Sequence, residues 1–167
     1  MNCRGVATCV LVALGFAGCD VVTARNARFE SAWAGSDRGR LATSAAGVWC
    51  RDAKIAQITA TRGDSGIAVL IHPVESLVVG RYPILEPGSA RASSPAAALA
   101  LRLLGSTSVV GYRTESGTLT LERVEGGRVW GRFESQAKVA TALAGKIQLN
   151  GRFSGVPVTA GGAACPP

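Results

Sequence analysis

Residues 116–135, SGTLTLERVEGGRVWGRFES, restrict the fold more than any other stretch of this chain. Leu119 and Leu121 alternate with Thr120 and Glu122 before Gly126-Gly127. Beyond it, Val129, Gly131 and Phe133 alternate with Trp130 and Arg132. A period of two on both sides of a glycine pair predicts an antiparallel hairpin with one buried face. Register depends on the loop. A two-residue turn at Gly126-Gly127 pairs Leu121 with Arg132 and mixes the faces. A three-residue loop, Glu125-Gly126-Gly127, pairs Leu119 with Phe133, Leu121 with Gly131 and Glu122 with Trp130. A slip of one residue turns every side chain to the other face. The pattern therefore predicts the longer loop, with a glycine at positive φ forming a bulge.

The same pattern returns in residues 145–154, GKIQLNGRFS, where Ile147, Leu149, Gly151 and Phe153 share a face. The triplet GRF thus occurs at 131–133 and at 151–153. In both, glycine and phenylalanine sit two apart, which predicts that glycine leaves room for a neighbouring ring. Upstream, KIAQITATR, the turn GDSG and IAVLIHPV read as another hairpin. SLVVGRYPIL is a strand with Pro83 marking an edge or a bend. Residues 86–98 are loop by composition. ALALRLL, with leucines at 99, 101 and 103, reads as strand, and a helix over 96–104 is the alternative. Aromatics are only 5% of the chain and glycines number 21, which suits short strands and tight turns. The expected fold is all-β, an antiparallel β-sandwich or small β-barrel of eight to ten short strands.

The first residues carry different information. Arg4 is the only charge before Asp20, and an apolar run of fourteen residues extends from position 5 to 18. A membrane-spanning helix needs roughly 18–20 such residues, whereas a positive start and a shorter apolar run make a secretory signal. The segment Phe16-Ala17-Gly18-Cys19 resembles the lipobox of bacterial lipoprotein precursors, with Phe16 where that family usually has leucine. The resemblance implies cleavage before Cys19, a diacylglyceryl thioether on its sulfur and a fatty acyl group on the new amino terminus. It divides the chain into a signal peptide (1–18), a lipid anchor and flexible tether (19–40) and a β-rich globular domain (41–167). On that reading Cys3 and Cys9 leave with the signal, and Cys50 and Cys165 remain as a pair in an oxidising compartment. The domain itself resembles only uncharacterised small β-rich lipoproteins. The implied location is the bacterial cell envelope, exported and held to a membrane by the N-terminal lipid.

Loss of Arg4 leaves 17 basic against 11 acidic residues, a net +6 spread along the chain. Scattered arginines suit a solvated surface or anionic lipid headgroups, and no run or motif points to nucleic acid. Chemistry is sparse. His72 is the only histidine, and a Ser65–His72 pair would need both side chains within hydrogen-bond reach. Asp52, Asp64, Glu75 and Glu86 are isolated in sequence and have no metal-ligand spacing. No cofactor motif occurs. Arg62-Gly63-Asp64 matches the adhesion tripeptide, yet it also has the composition of any tight turn. Trp49, Tyr82 and Trp130 could line a cavity; Trp130, placed outward beside Glu122, is the best contact surface. The expectation is a non-catalytic envelope lipoprotein whose domain binds an envelope protein or small ligand, or is structural. The alternatives are a small hydrolase using Ser65 and His72 or a carboxylate, and adhesion through residues 62–64.

Overall fold

A computed structural model describes residues 27–89, 94–141 and 145–161. Ten strands account for most of them: β1 (Arg28–Gly35), β2 (Gly39–Thr43), β3 (Ala45–Cys50), β4 (Ile55–Arg62), β5 (Ser65–His72), β6 (Gly80–Leu85), β7 (Ala96–Leu104), β8 (Val109–Glu125), β9 (Arg128–Val139) and β10 (Lys146–Ala160). The fold is all-β, as expected, and residues 96–104 are strand. The order is β2-β1-β10-β3-β4-β5-β7-β6-β8-β9, and further β10–β9 and β7–β8 pairings make the sheet return on itself as a ring. The sheet is mixed rather than purely antiparallel. β10 runs parallel to β3 from Val158↔Gly47 to Ala160↔Trp49, and β6 meets β7 in parallel at Ile84↔Ala97.

Two long strands hold the ring together. β9 lines one edge of β8, and β7 and then β6 share the other. β9 also lines one edge of β10, whose other edge is shared by β1 and then β3. Inside, Phe29 stacks on Phe153 with centroids 6.3 Å apart and tilts against Phe133 at 6.0 Å. Ile58, Ile67, Ile71, Leu99, Leu101, Leu119 and Leu121 fill the rest of the interior.

The repeated triplet forms a reciprocal pair. In the β9–β10 register Gly151 faces Phe133 and Phe153 faces Gly131. A Cβ on Gly151 would lie 2.5 Å from the Phe133 ring and 2.5 Å from the Glu30 carbonyl oxygen. One on Gly131 would lie 2.8 Å from the Phe153 ring and 2.5 Å from the Thr120 carbonyl oxygen. Each glycine therefore admits both a ring from one neighbour and the backbone of the other.

The hairpin at Gly126-Gly127 departs from the expected loop. Glu125 pairs with Arg128, so the turn has two residues, with φ of 55° and 69° at Gly126 and Gly127. That is the twist-compatible turn which asks for two left-handed residues. Leu119 nevertheless faces Phe133 and Leu121 faces Gly131, because a bulge between Leu121 and Arg123 absorbs one residue. Trp130 is consequently opposite Arg123, not Glu122. Both conditions, tight turn and apolar face, are met by moving the irregularity four residues into β8.

The tether expected over 19–40 is corrected for its second half. Residues 28–35 are a ring strand, with Phe29 and Trp33 buried, and β2 begins at Gly39. The alternation Phe29, Ser31, Trp33 is a strand face whose middle residue is polar. Ser31 is buried because its hydroxyl donates to the Asn150 carbonyl at 2.7 Å. The domain therefore includes residues 27–40, and residues 19–26 lie outside the described residues. The loop expected over 86–98 is likewise shorter, since β7 starts at Ala96.

Overpacking at the reciprocal pair should be costly. We expect Gly131→Ala and Gly151→Ala each to lower unfolding free energy by about 1–3 kcal/mol. At Gly111 an added Cβ meets only Ala140 at 3.7 Å, so Gly111→Ala should change stability by no more than about 0.5 kcal/mol. Urea melts of the three variants check both expectations.

Candidate functional site

Ser65 and His72 begin and end β5. Seven residues at ~3.3 Å per residue hold them roughly 23 Å apart, so they form no nucleophile–base pair. Ser65 Oγ instead donates to Asp64 Oδ1 at 3.0 Å. His72 is half-buried, and burial pushes its pKa below the ordinary value. The Arg62-Gly63-Asp64 turn is exposed, with Gly63 at a φ of 57°. The Arg62 guanidinium donates to the Ala42 carbonyl at 3.0 Å, which draws it along β2.

Two of the acidic residues, Glu86 and Glu115, share one ion-pair cluster around Lys138. Glu86 pairs with Arg113 at 3.3 Å and Lys138 at 3.5 Å, while Glu115 pairs with Lys138 at 3.1 Å and Lys146 at 2.8 Å. Bonds from Lys146 and Lys138 hold the Glu115 carboxyl below its usual range. No group of three or more His, Cys, Asp or Glu side chains is placed to hold a metal ion among the described residues. Tyr82 is 2% exposed, and its hydroxyl donates to the Val78 carbonyl at 2.9 Å. Trp49 packs partly against the core. Trp130 is half-buried on the outer face of β9, between buried Val129 and Gly131, with the Arg123 guanidinium 3.7 Å from its ring centroid. Cys50 is buried at the end of β3, and Cys19 and Cys165 lie outside the described residues.

A wide concavity among the described residues is on the outer side of the ring, where β2, β1, β10 and β9 lie side by side. It is an open groove of roughly 870 Å³. Its floor includes Ala32, Ala34 and Ala42, and its walls include Glu30, Arg132 and Arg152. Register explains the charges. Glu30 faces Arg152, and Arg152 faces Arg132. Like charges directly opposite repel, and each arginine turns outward from the other. Arg152 binds Glu30 Oε2 through Nε at 2.9 Å and Nη2 at 2.7 Å, while Arg132 pairs with Glu122. Arg38 and Arg40 also line the groove, are exposed and form no ion pair among the described residues. Trp33, another lining residue, carries a buried indole N–H with no partner among them.

This groove was not legible beforehand. Its side chains come from residues 30–40, where a tether was expected, from Leu41 and Ala42, and from outward positions of β9 and β10, where alternation gives polarity without identity. The groove sets Arg38, Arg40, Arg132 and Arg152 together with Glu30 and Glu134 over a small apolar floor.

Burial of His72 predicts a pH response. With its folded pKa below the ordinary 6.5, the unfolded chain binds the proton first. Stability from this group is therefore present above pH 6.5 and lost as pH falls through the lowered value. We expect Tm to fall between pH 7 and pH 5, with a smaller fall in His72→Gln. The Glu115 contribution is lost only below its ordinary 4.5, so circular-dichroism melts at pH 7, 6 and 5 isolate the histidine.

The chain matches no family model, no curated protein and no solved structure.

Proposed function

We propose that this chain is an exported lipoprotein, anchored through Cys19, whose β domain is a non-catalytic binding module. The groove across β2, β1, β10 and β9 is its contact surface for an envelope protein. The observation that carries this reading is the pairing state of the groove arginines. Arg132 and Arg152 are neutralised by Glu122 and Glu30, whereas Arg38 and Arg40 stand exposed at the same concavity with no ion pair among the described residues. β2 ends the strand order, and an extended partner can add to such an edge while its carboxylates meet arginine. Trp130, stacked under Arg123, remains a secondary contact.

A Cys50–Cys165 disulfide belongs to the same reading. β10 leaves the ring beside β3, with Ala160 opposite Trp49 and the Gly161 N–H donating to the Trp49 carbonyl at 2.8 Å. That brings the chain next to the neighbour of Cys50 four residues before Cys165, which supports the pairing.

Intact mass of the membrane-extracted protein tests anchor and bridge together. We expect a mass that fits cleavage before Cys19 plus lipid, and a gain of two protons on reduction. An unmodified precursor mass defeats the anchor. Cys50→Ser should lower stability by about 2–5 kcal/mol. For the groove, a photo-crosslinking residue at position 40 in native membranes should give a defined protein adduct, lost in Arg38→Glu. No adduct at 40 or at 152 would defeat the groove reading.

A further inference from the structure

One end of the ring carries an ordered apolar loop. Residues 73–79 join β5 to β6, and Val74, Val78 and Val79 are 41%, 56% and 60% exposed. The loop is pinned. The buried Tyr82 hydroxyl donates to the Val78 carbonyl at 2.9 Å and accepts the Val78 N–H at 3.3 Å. Pro73 is buried and Leu77 packs against the core. The valines are therefore held outward by their neighbours, not left exposed by a loose segment.

The N-terminal side of the domain is at the same end. Arg28 faces Ser154, close to where β9 pairs Gly131 with Phe153. Gly131 faces Leu121, and Leu121 faces Gly80, the residue after Val79. β1 thus starts toward the end of the ring that carries the valine loop, four strand pairings from Gly80. Arg28, Arg51, Lys54 and Arg81 are exposed at this end with no ion pair among the described residues; the acidic side chains there include Asp52, Glu75, Glu122, which pairs with Arg132, and Glu125, which pairs with Arg123. The eight peptide links from Cys19 to Ala27 span at most about 29 Å.

We propose that this end of the domain rests on the lipid bilayer, with Val78 and Val79 entering the headgroup–acyl boundary and the surrounding arginines meeting anionic headgroups. The proposal rests on the Cys19 anchor for its proximity to the membrane. Valine burial supplies an apolar term, and each basic side chain near an anionic surface adds attraction that salt screens. A short lead from the lipid keeps the loop within reach.

The test uses the full chain, extracted from membranes and reconstituted into phosphatidylethanolamine/phosphatidylglycerol vesicles containing acyl-chain spin-labelled lipid. A fluorescent amino acid is placed at position 78, and in a second sample at Val109, which is 60% exposed at the opposite end of the ring. We expect strong quenching and a blue shift at 78 and neither at 109. Introducing Val79→Asp should reduce the bilayer-contacting fraction about five- to tenfold, from the lost burial of one valine and the added charge. Equal quenching at both positions, or none at 78, overturns the proposal. Shielding of 78 in native membranes but not in vesicles also overturns it and assigns the loop to a protein partner. Mass spectrometry of the same sample reads Cys19 separately, so an unlipidated chain that still shows quenching at 78 defeats the anchor and leaves the bilayer contact standing.

Discussion

The ring depends on the exchange of glycine and phenylalanine between β9 and β10. Phe133 covers Gly151 and Phe153 covers Gly131, and Phe29 of β1 completes the aromatic cluster. Aromatic cover compensates for a glycine that packs nothing of its own. The glycines also allow the Thr120 and Glu30 carbonyl oxygens to approach, so this one register sets how β8 and β1 lie against the central pair. Because side chains alternate, the same register places Arg132 directly opposite Arg152 on the outside. Glu122 and Glu30 are then needed on the outer flanks. The charged row along the groove is a consequence of how the core is packed.

Two irregularities in β8 let the register persist along a strand of 17 residues. One lies between Leu121 and Arg123 and the other between Thr114 and Ser116. An extra residue bends a strand and redirects side chains. In both places the extra residue is a glutamate with a basic partner: Glu122 meets Arg132, and Glu115 meets Lys138 and Lys146. At the Thr114/Ser116 bulge β8 changes neighbour from β7 to β6. Thr114 marks the changeover, fully buried, accepting the Leu99 N–H at 3.0 Å and donating to the Leu99 carbonyl at 3.1 Å.

Strand identity was legible wherever alternation was clean, as at Leu119–Leu121 and Ile147–Leu149. The pairing of Leu119 with Phe133 was legible because only one register buries both. The turn was misjudged because a bulge leaves no mark in composition: Glu122 looks like any outward residue. β1 was missed for a related reason. Its buried face contains Ser31, whose burial requires the Asn150 carbonyl more than a hundred residues away, and nothing local announces such a partner. The parallel contact of β6 with β7 follows from their both running antiparallel to one edge of β8, and that of β10 with β3 depends on the whole strand order. The groove was hidden for the same reason, since Arg40 and Arg152 become neighbours only through β1 and β10.

Including residues 27–40 in the domain also changes what an anchor at Cys19 could do. A lead of more than twenty residues would let the domain sample a wide volume above the membrane; eight residues restrict it to about one strand length. β10, with 15 residues at ~3.3 Å each, is roughly 50 Å long. A domain so closely held would keep the turns at 62–65 and 105–108 far from the bilayer. The groove, whose strands run between the two ends, would face sideways at intermediate height. A partner reaching Arg38 and Arg40 would then have to present an extended acidic segment along the side of the ring. It would approach parallel to the membrane, because a bilayer at the near end would close that end to it.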